Sequence, residues 1–291
     1  MISELERLDQ HRRQVRTASG PASYMDTGGP GRPVLFVHGV GTSSYLWRNV
    51  IAELDGQRRC IALDLPLHGH TAAGPGQDFS LPGLARFVED GCAALQLPEV
   101  DLVANDTGGA VSQVFAARYP GRLHTLALTN CEAHTNMPPP ALRAGDLLMR
   151  TGLPLWRLAG RLFGDPVRGR QRFFGSGYQD VSHLPLAVSR AMLDPVLGTP
   201  ARARQFQRLM VALRRRDLLA AEPALRRLAV PTAIVWGTGD RFFGRKWAYW
   251  LRDTIPGATA VIEIEDGRLF FPDERAAELA AALRRHWDAH R

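Results

Sequence analysis

At 291 residues, with 45% hydrophobic and 22% charged side chains, the chain is long enough to bury an ample core and has the balance of a soluble globular protein. No apolar run is long enough to cross a bilayer, and the polar stretch MISELERLDQHRRQ lacks a signal-peptide core, so the cytoplasm is the expected compartment and no membrane partner is expected. The net charge of +7 is carried by arginine, Lys246 being the one lysine, and no aromatic-basic interleaving or helix-turn-helix pattern points to nucleic acid.

In chain order, PVLFVHGVGTSSYLWRNVIAEL (Pro33 to Leu54) reads as an apolar strand, a Gly-rich turn carrying His38 and Val40, and an amphipathic helix. CIALDLPLHGHT (Cys60 to Thr71) is a second strand and loop. Val100 to Ala104 fits a buried parallel strand, and Ala110 to Ala117 has helical spacing that ends before Pro120. Between them, Ala104 and Gly108 flank Asp106 at two residues on either side. Small residues there let a strand reverse sharply into a helix and push the central side chain outward. The pattern is a nucleophile elbow with Asp in place of the usual Ser, although alone it fits a helix N-cap equally well.

LHTLALTNCEAH (Leu123 to His134) is a further strand, with Glu132 and His134 at its carboxyl end, where α/β sheets place ligands. A long insertion follows, with breaks at the Pro138-Pro139-Pro140 run, Gly164-Asp165-Pro166, Gly175-Ser176-Gly177 and Gly198-Thr199-Pro200. Residues 133–228 hold 16 arginines against 6 acidic residues, so the positive field sits on the insertion. VPTAIVWGTGDRFF (Val230 to Phe243) brings Asp240 to a strand end, and TAVIEIEDGRLFFPDE (Thr259 to Glu274) is a last strand and loop containing Leu269. Strands separated by helices predict an α/β protein with a parallel sheet covered on both faces. Residues 1–132 and 229–291 are expected to form the core domain, and 133–228 a helical cap. Cys60, Cys92 and Cys131 are isolated and odd in number, so neither disulfides nor a metal cluster is expected.

The segment HGVGTSSYLWRN, the Asp106 elbow and the order of the strands resemble the α/β-hydrolase fold, and within it the haloalkane dehalogenase and epoxide hydrolase branch with an Asp nucleophile. The resemblance implies a mostly parallel central sheet with helices on both faces and a helical cap inserted after the sixth strand. It implies an oxyanion hole made by the backbone N–H groups of Val40 and Thr107. Asp240 matches the commonest place for the acid that orients the catalytic histidine, and Glu132 matches an alternative one. His38, Trp156, Phe174, Tyr178 and Leu269 are the substrate-binding candidates.

The family's histidine falls at Leu269, and no histidine occurs between His183 and His286. An Asp carboxylate, with an ordinary pKa of about 3.9, is ionised at neutral pH and attacks an sp3 carbon without a base. Opening the resulting ester with water does need one. His134, next to Glu132 at the strand end, is the candidate for a relocated base. Thr107 and Val40 stand where dehalogenases carry a halide-binding Trp and often an Asn, and Tyr178 is the single tyrosine of the insertion. Three functions stay open: a hydrolase working through an Asp106 ester, a non-hydrolytic lyase, isomerase or cyclase, and a binding protein that has lost catalysis. Each takes a small hydrophobic ligand, with an anionic one left open, and none implies a cofactor or metal. The oligomeric state is not set by the sequence.

Overall fold

Apolar runs at Val34–Val37, Cys60–Leu63 and Val100–Asn105 are buried at every residue, as strands sandwiched between helices must be. In the computed structural model, which describes residues 4–163 and 165–291, they join one eight-stranded sheet. Its strands are β1 (Arg12–Thr17), β2 (Gly20–Asp26), β3 (Val34–Val37), β4 (Cys60–Leu63), β5 (Val100–Asn105), β6 (Leu123–Thr129), β7 (Thr232–Gly237) and β8 (Ala258–Ile264). The spatial order is β1-β2-β4-β3-β5-β6-β7-β8. From β4 to β8 every pairing is parallel, while β1 and β2 form an antiparallel hairpin joined to β4.

Helices cover both faces, as the sequence predicts. Leu81–Ala94 begins where Ser80 accepts a hydrogen bond from the Gly83 N–H and packs on Thr107–Arg118. Ala276–Asp288 packs on Arg48–Leu54. Between β6 and β7 the described residues hold no strand, and the main helices there are Arg143–Arg150, Trp156–Phe163, Leu186–Leu197, Pro200–Ala212 and Arg215–Leu225. Among the described residues no helix is long and apolar enough to cross a membrane, and no cluster of side chains could hold a metal ion.

The insertion is tied to helices that follow β3 and β8 by a buried polar knot centred on Asp273. Arg48 Nη1 lies 2.8 Å from its carboxylate, and Asn49 Nδ2 donates to it at 2.9 Å. The Tyr178 hydroxyl donates to it from the insertion at 2.8 Å. Just beyond, the backbone N–H groups of Gln179 and Asp180 donate to the Glu274 carboxylate at 2.8 and 2.7 Å. Tyr178 is therefore a clamp between the insertion and the helix Phe271–Glu274, outside the lining of the Asp106 cavity, which corrects its placement among the substrate-binding residues. Arg48→Ala strips the guanidinium from a buried carboxylate and is expected to cost about 3 kcal/mol of stability. Tyr178→Phe should cost about 1 kcal/mol and leave reactivity at Asp106 unchanged. Urea denaturation and adduct formation check the two claims separately.

Candidate active site

At the carboxyl end of β5 the chain turns through Asp106, with φ +55° and ψ −138°, straight into the helix Thr107–Arg118. Such a backbone costs about 1–3 kcal/mol and persists only where its surroundings enforce it. Glycines make the bend possible: a Cβ at Gly108 would lie 2.4 Å from the Val37 and His38 carbonyl oxygens, and one at Gly39 would lie 2.1 Å from Asp106 Oδ2. Asp106 occupies the N-cap position but its side chain makes no capping bond. The carboxylate instead faces a cavity of about 660 Å³.

Val40, Asp106, Thr107, Glu132, Trp156 and Leu269 all line that cavity. Its walls are otherwise mostly aliphatic and aromatic, with the stretch between β6 and β7 supplying Leu155, Leu162 and Phe206 and the loop after β7 supplying Phe242 and Phe243. Among the described residues no histidine lines it.

Burial in this apolar setting pushes the Asp106 carboxyl up to about 7, and the negative charge of Asp240 adds to the rise. The backbone N–H groups of Thr107 and Val40 pull the other way by stabilising the anion. Asp106 is thus partly protonated at neutral pH, not fully ionised as the sequence alone implies. Asp240 is pushed up to about 6 by burial, opposed by the Phe242 N–H at 2.7 Å and Asn130 Nδ2 at 2.7 Å. Glu132 is raised by burial and by the charge of Asp106. Its Oε1 accepts from the Thr107 hydroxyl at 2.9 Å, while Oε2 is buried without a partner. Three carboxyl groups therefore share one poorly solvated region, where the charge of Asp240 helps to raise both Asp106 and Glu132.

Four further candidates lie elsewhere. His134, at φ +50°, turns away from the cavity: its Nδ1 meets Glu222 Oε2 at 2.9 Å and its ring stacks on Trp250 at 4.9 Å. It is not a base within the Asp106 cavity. His38 is fully buried, with Nδ1 2.7 Å from the Gly39 oxygen and Nε2 accepting from the Leu65 N–H at 3.0 Å. Burial lowers it to about 4. It braces the turn that presents Val40 and contacts no ligand space. Phe174 is buried behind Phe173, at 5.1 Å between ring centres, and it is Phe173 that reaches the cavity. Tyr178 belongs to the clamp on Asp273.

Asn130, which the sequence did not single out, organises the site from below. Its side chain exchanges hydrogen bonds with Gly237 at the end of β7, at 2.6 and 3.0 Å, and holds Asp240, while its carbonyl oxygen accepts the Asp106 N–H at 2.9 Å. The available signal was an amide immediately after the apolar run of β6.

A strand-bend-helix elbow at the carboxyl edge of a mostly parallel sheet, under a helical insertion, defines a class that the sequence comparisons also identify. Residues 32–275 match the alpha/beta hydrolase fold family, and the chain belongs to it. Over 272 residues it is 27% identical to an uncharacterized protein of Mycobacterium bovis, covering 89% of this chain and 76% of that one. A shorter stretch of 99 residues is 38% identical to a haloalkane dehalogenase of Agrobacterium fabrum, covering 34% of this chain and 32% of the relative. The crystal structure of an ancestral haloalkane dehalogenase shares the fold, with a TM-score of 0.78 at 23% identity over 95% of this chain and 99% of that chain.

Proposed function

We propose that the protein is an enzyme of dehalogenase-like chemistry in which Asp106 displaces a leaving group from an sp3 carbon of a small hydrophobic substrate. The observation that carries this is a carboxylate held in a strained bend at the floor of an apolar cavity. A lone pair of the Asp106 carboxylate forms the new C–O bond as the carbon–halogen bond breaks, and halide departs with the bonding pair. The Thr107 and Val40 N–H groups serve the second carboxylate oxygen, and later the oxyanion formed when the ester is opened. Residues 133–228 act as the cap that keeps water from the cavity, over a core of 1–132 and 229–291.

The first half-reaction needs no base, and Leu269 leaves the second without the family's imidazole. Asp240 and Glu132 remain as carboxylates, with Asp240 the one set to orient a histidine at position 269. The enzyme is therefore expected to alkylate itself faster than it turns over. With 1-bromobutane as probe, bromide should appear as a burst of one equivalent per protein, followed by slow release. Because the anion is the nucleophile and the acid form is inert, the burst rate should rise with pH through about 7 and level off above it. A burst rate independent of pH between 5 and 9, or no bromide at all, contradicts the assignment.

A further inference from the structure

Large exposed hydrophobic side chains are concentrated in one place. Of the eight among the described residues, six (Leu142, Leu147, Leu148, Leu153, Leu158 and Val167) fall between positions 142 and 167, with Leu147 69% exposed. They belong to the helices Arg143–Arg150 and Trp156–Phe163 and the turns beside them, and neither helix has a buried residue. Leu142, Leu148 and Leu158 also line the Asp106 cavity. The apolar patch is therefore continuous with the walls of the reaction space.

Arginine is interleaved with these leucines. Residues 140–172 contain seven arginines and two aspartates, and Arg143, Arg157, Arg161, Arg168 and Arg172 are exposed. Two basic grooves adjoin the cavity. One, lined by Arg157, Arg161, Arg190 and Arg202, shares Trp156 and Ala203 with it. The other, lined by Arg143, Arg150, Arg214 and Arg215, shares Met137, Pro138 and Asp146.

From this arrangement we infer that the insertion docks the protein on an anionic lipid surface, leucines in the acyl boundary and arginines on the headgroups, with the cavity mouth opening toward the lipid. Apolar side chains set among arginines at one surface are what an interfacial segment requires, and no membrane-spanning helix is involved. A second copy of the chain is a poor occupant, because a two-fold interface would press two arginine-rich surfaces together. An apolar substrate that partitions into lipid would then reach Asp106 without crossing water. Docking goes beyond the proposed chemistry and stands apart from it.

The test is sedimentation with vesicles, using the full chain. Wild type should partition onto vesicles of equal parts phosphatidylcholine and phosphatidylglycerol and much less onto phosphatidylcholine alone, with the difference shrinking at high salt. The triple change Leu147→Glu, Leu153→Glu and Leu158→Glu should weaken partitioning roughly a hundredfold. Arg143→Ser, Arg157→Ser and Arg161→Ser together should erase the preference for anionic vesicles. These side chains are exposed, so thermal melts of both variants should match wild type. Asp106→Asn should bind vesicles as wild type does, so an absent bromide burst leaves the docking result standing. Equal binding to neutral and anionic vesicles, no binding, or full binding by the leucine variant would overturn the inference. So would self-association without lipid that the leucine changes abolish.

Discussion

Asp106→Asn is expected to lose alkylation by at least ~10³-fold, because an amide of the same shape has no anionic oxygen to attack carbon. The same change should make the protein more stable at high pH. The folded carboxyl, at about 7, lies above the unfolded value near 3.9, so the folded state holds the proton more tightly. Stability linked to this group is fully present below about pH 4 and is lost as pH rises through about 7. Asparagine escapes that loss, which is on the order of 3 kcal/mol at pH 8. Thermal melts should therefore place the variant roughly 5 °C above wild type at pH 8 and level with it at pH 4. A nucleophile that destabilises its own fold is what burial against neighbouring carboxyl groups produces. An inactive variant no more stable than wild type at pH 8 would show that Asp106 is solvated as an ordinary carboxylate.

Leu269→His carries the second large effect. The side chain lines the same cavity as Asp106, and its backbone oxygen accepts from Asn105 Nδ2 at 3.0 Å, which fixes the loop beside the elbow. Asp240 is held by Asn130 and by the Phe242 and Phe243 N–H groups, and under the proposed function its carboxylate is the one expected to orient the new imidazole. A positioned general base contributes about 10²–10⁴-fold. The variant is therefore expected to release butanol from the Asp106 ester at least ~100-fold faster than wild type, with the bromide burst unchanged. Adding Asp240→Asn should remove most of the gain. If Glu132→Gln removes it instead, the acid that serves position 269 is Glu132.

Much of the scaffold was legible because it rests on local patterns. The apolar runs of β3 to β6, the small residues around Asp106 and the break before Pro120 each act over a few residues. The β1–β2 hairpin was not, since RRQVRT is an edge strand with three arginines, two of them exposed, and a single aliphatic side chain. The position of Asp106 at the cavity was legible because its side-chain direction follows from the bend it occupies, whereas the backbone N–H groups of Val40 and Thr107 came only from the family resemblance. The site was misread where a distant partner decides. His134 stands at a strand end that usually faces ligand, but its backbone turns and Glu222, 88 residues on, takes its ring nitrogen. Tyr178 has the look of a cavity aromatic until Asp273, 95 residues on, is found buried beneath it. The shifted carboxyl at Asp106 was invisible for the same reason, because its cause is the apolar enclosure assembled from separate parts of the chain.

Peptide mapping after a short incubation with 1-bromobutane at pH 8 tests the nucleophile directly. The account predicts a butyl group esterified to Asp106, present in wild type and missing from Asp106→Asn. An unmodified Asp106 peptide, or a butyl group found only on another residue, would contradict it.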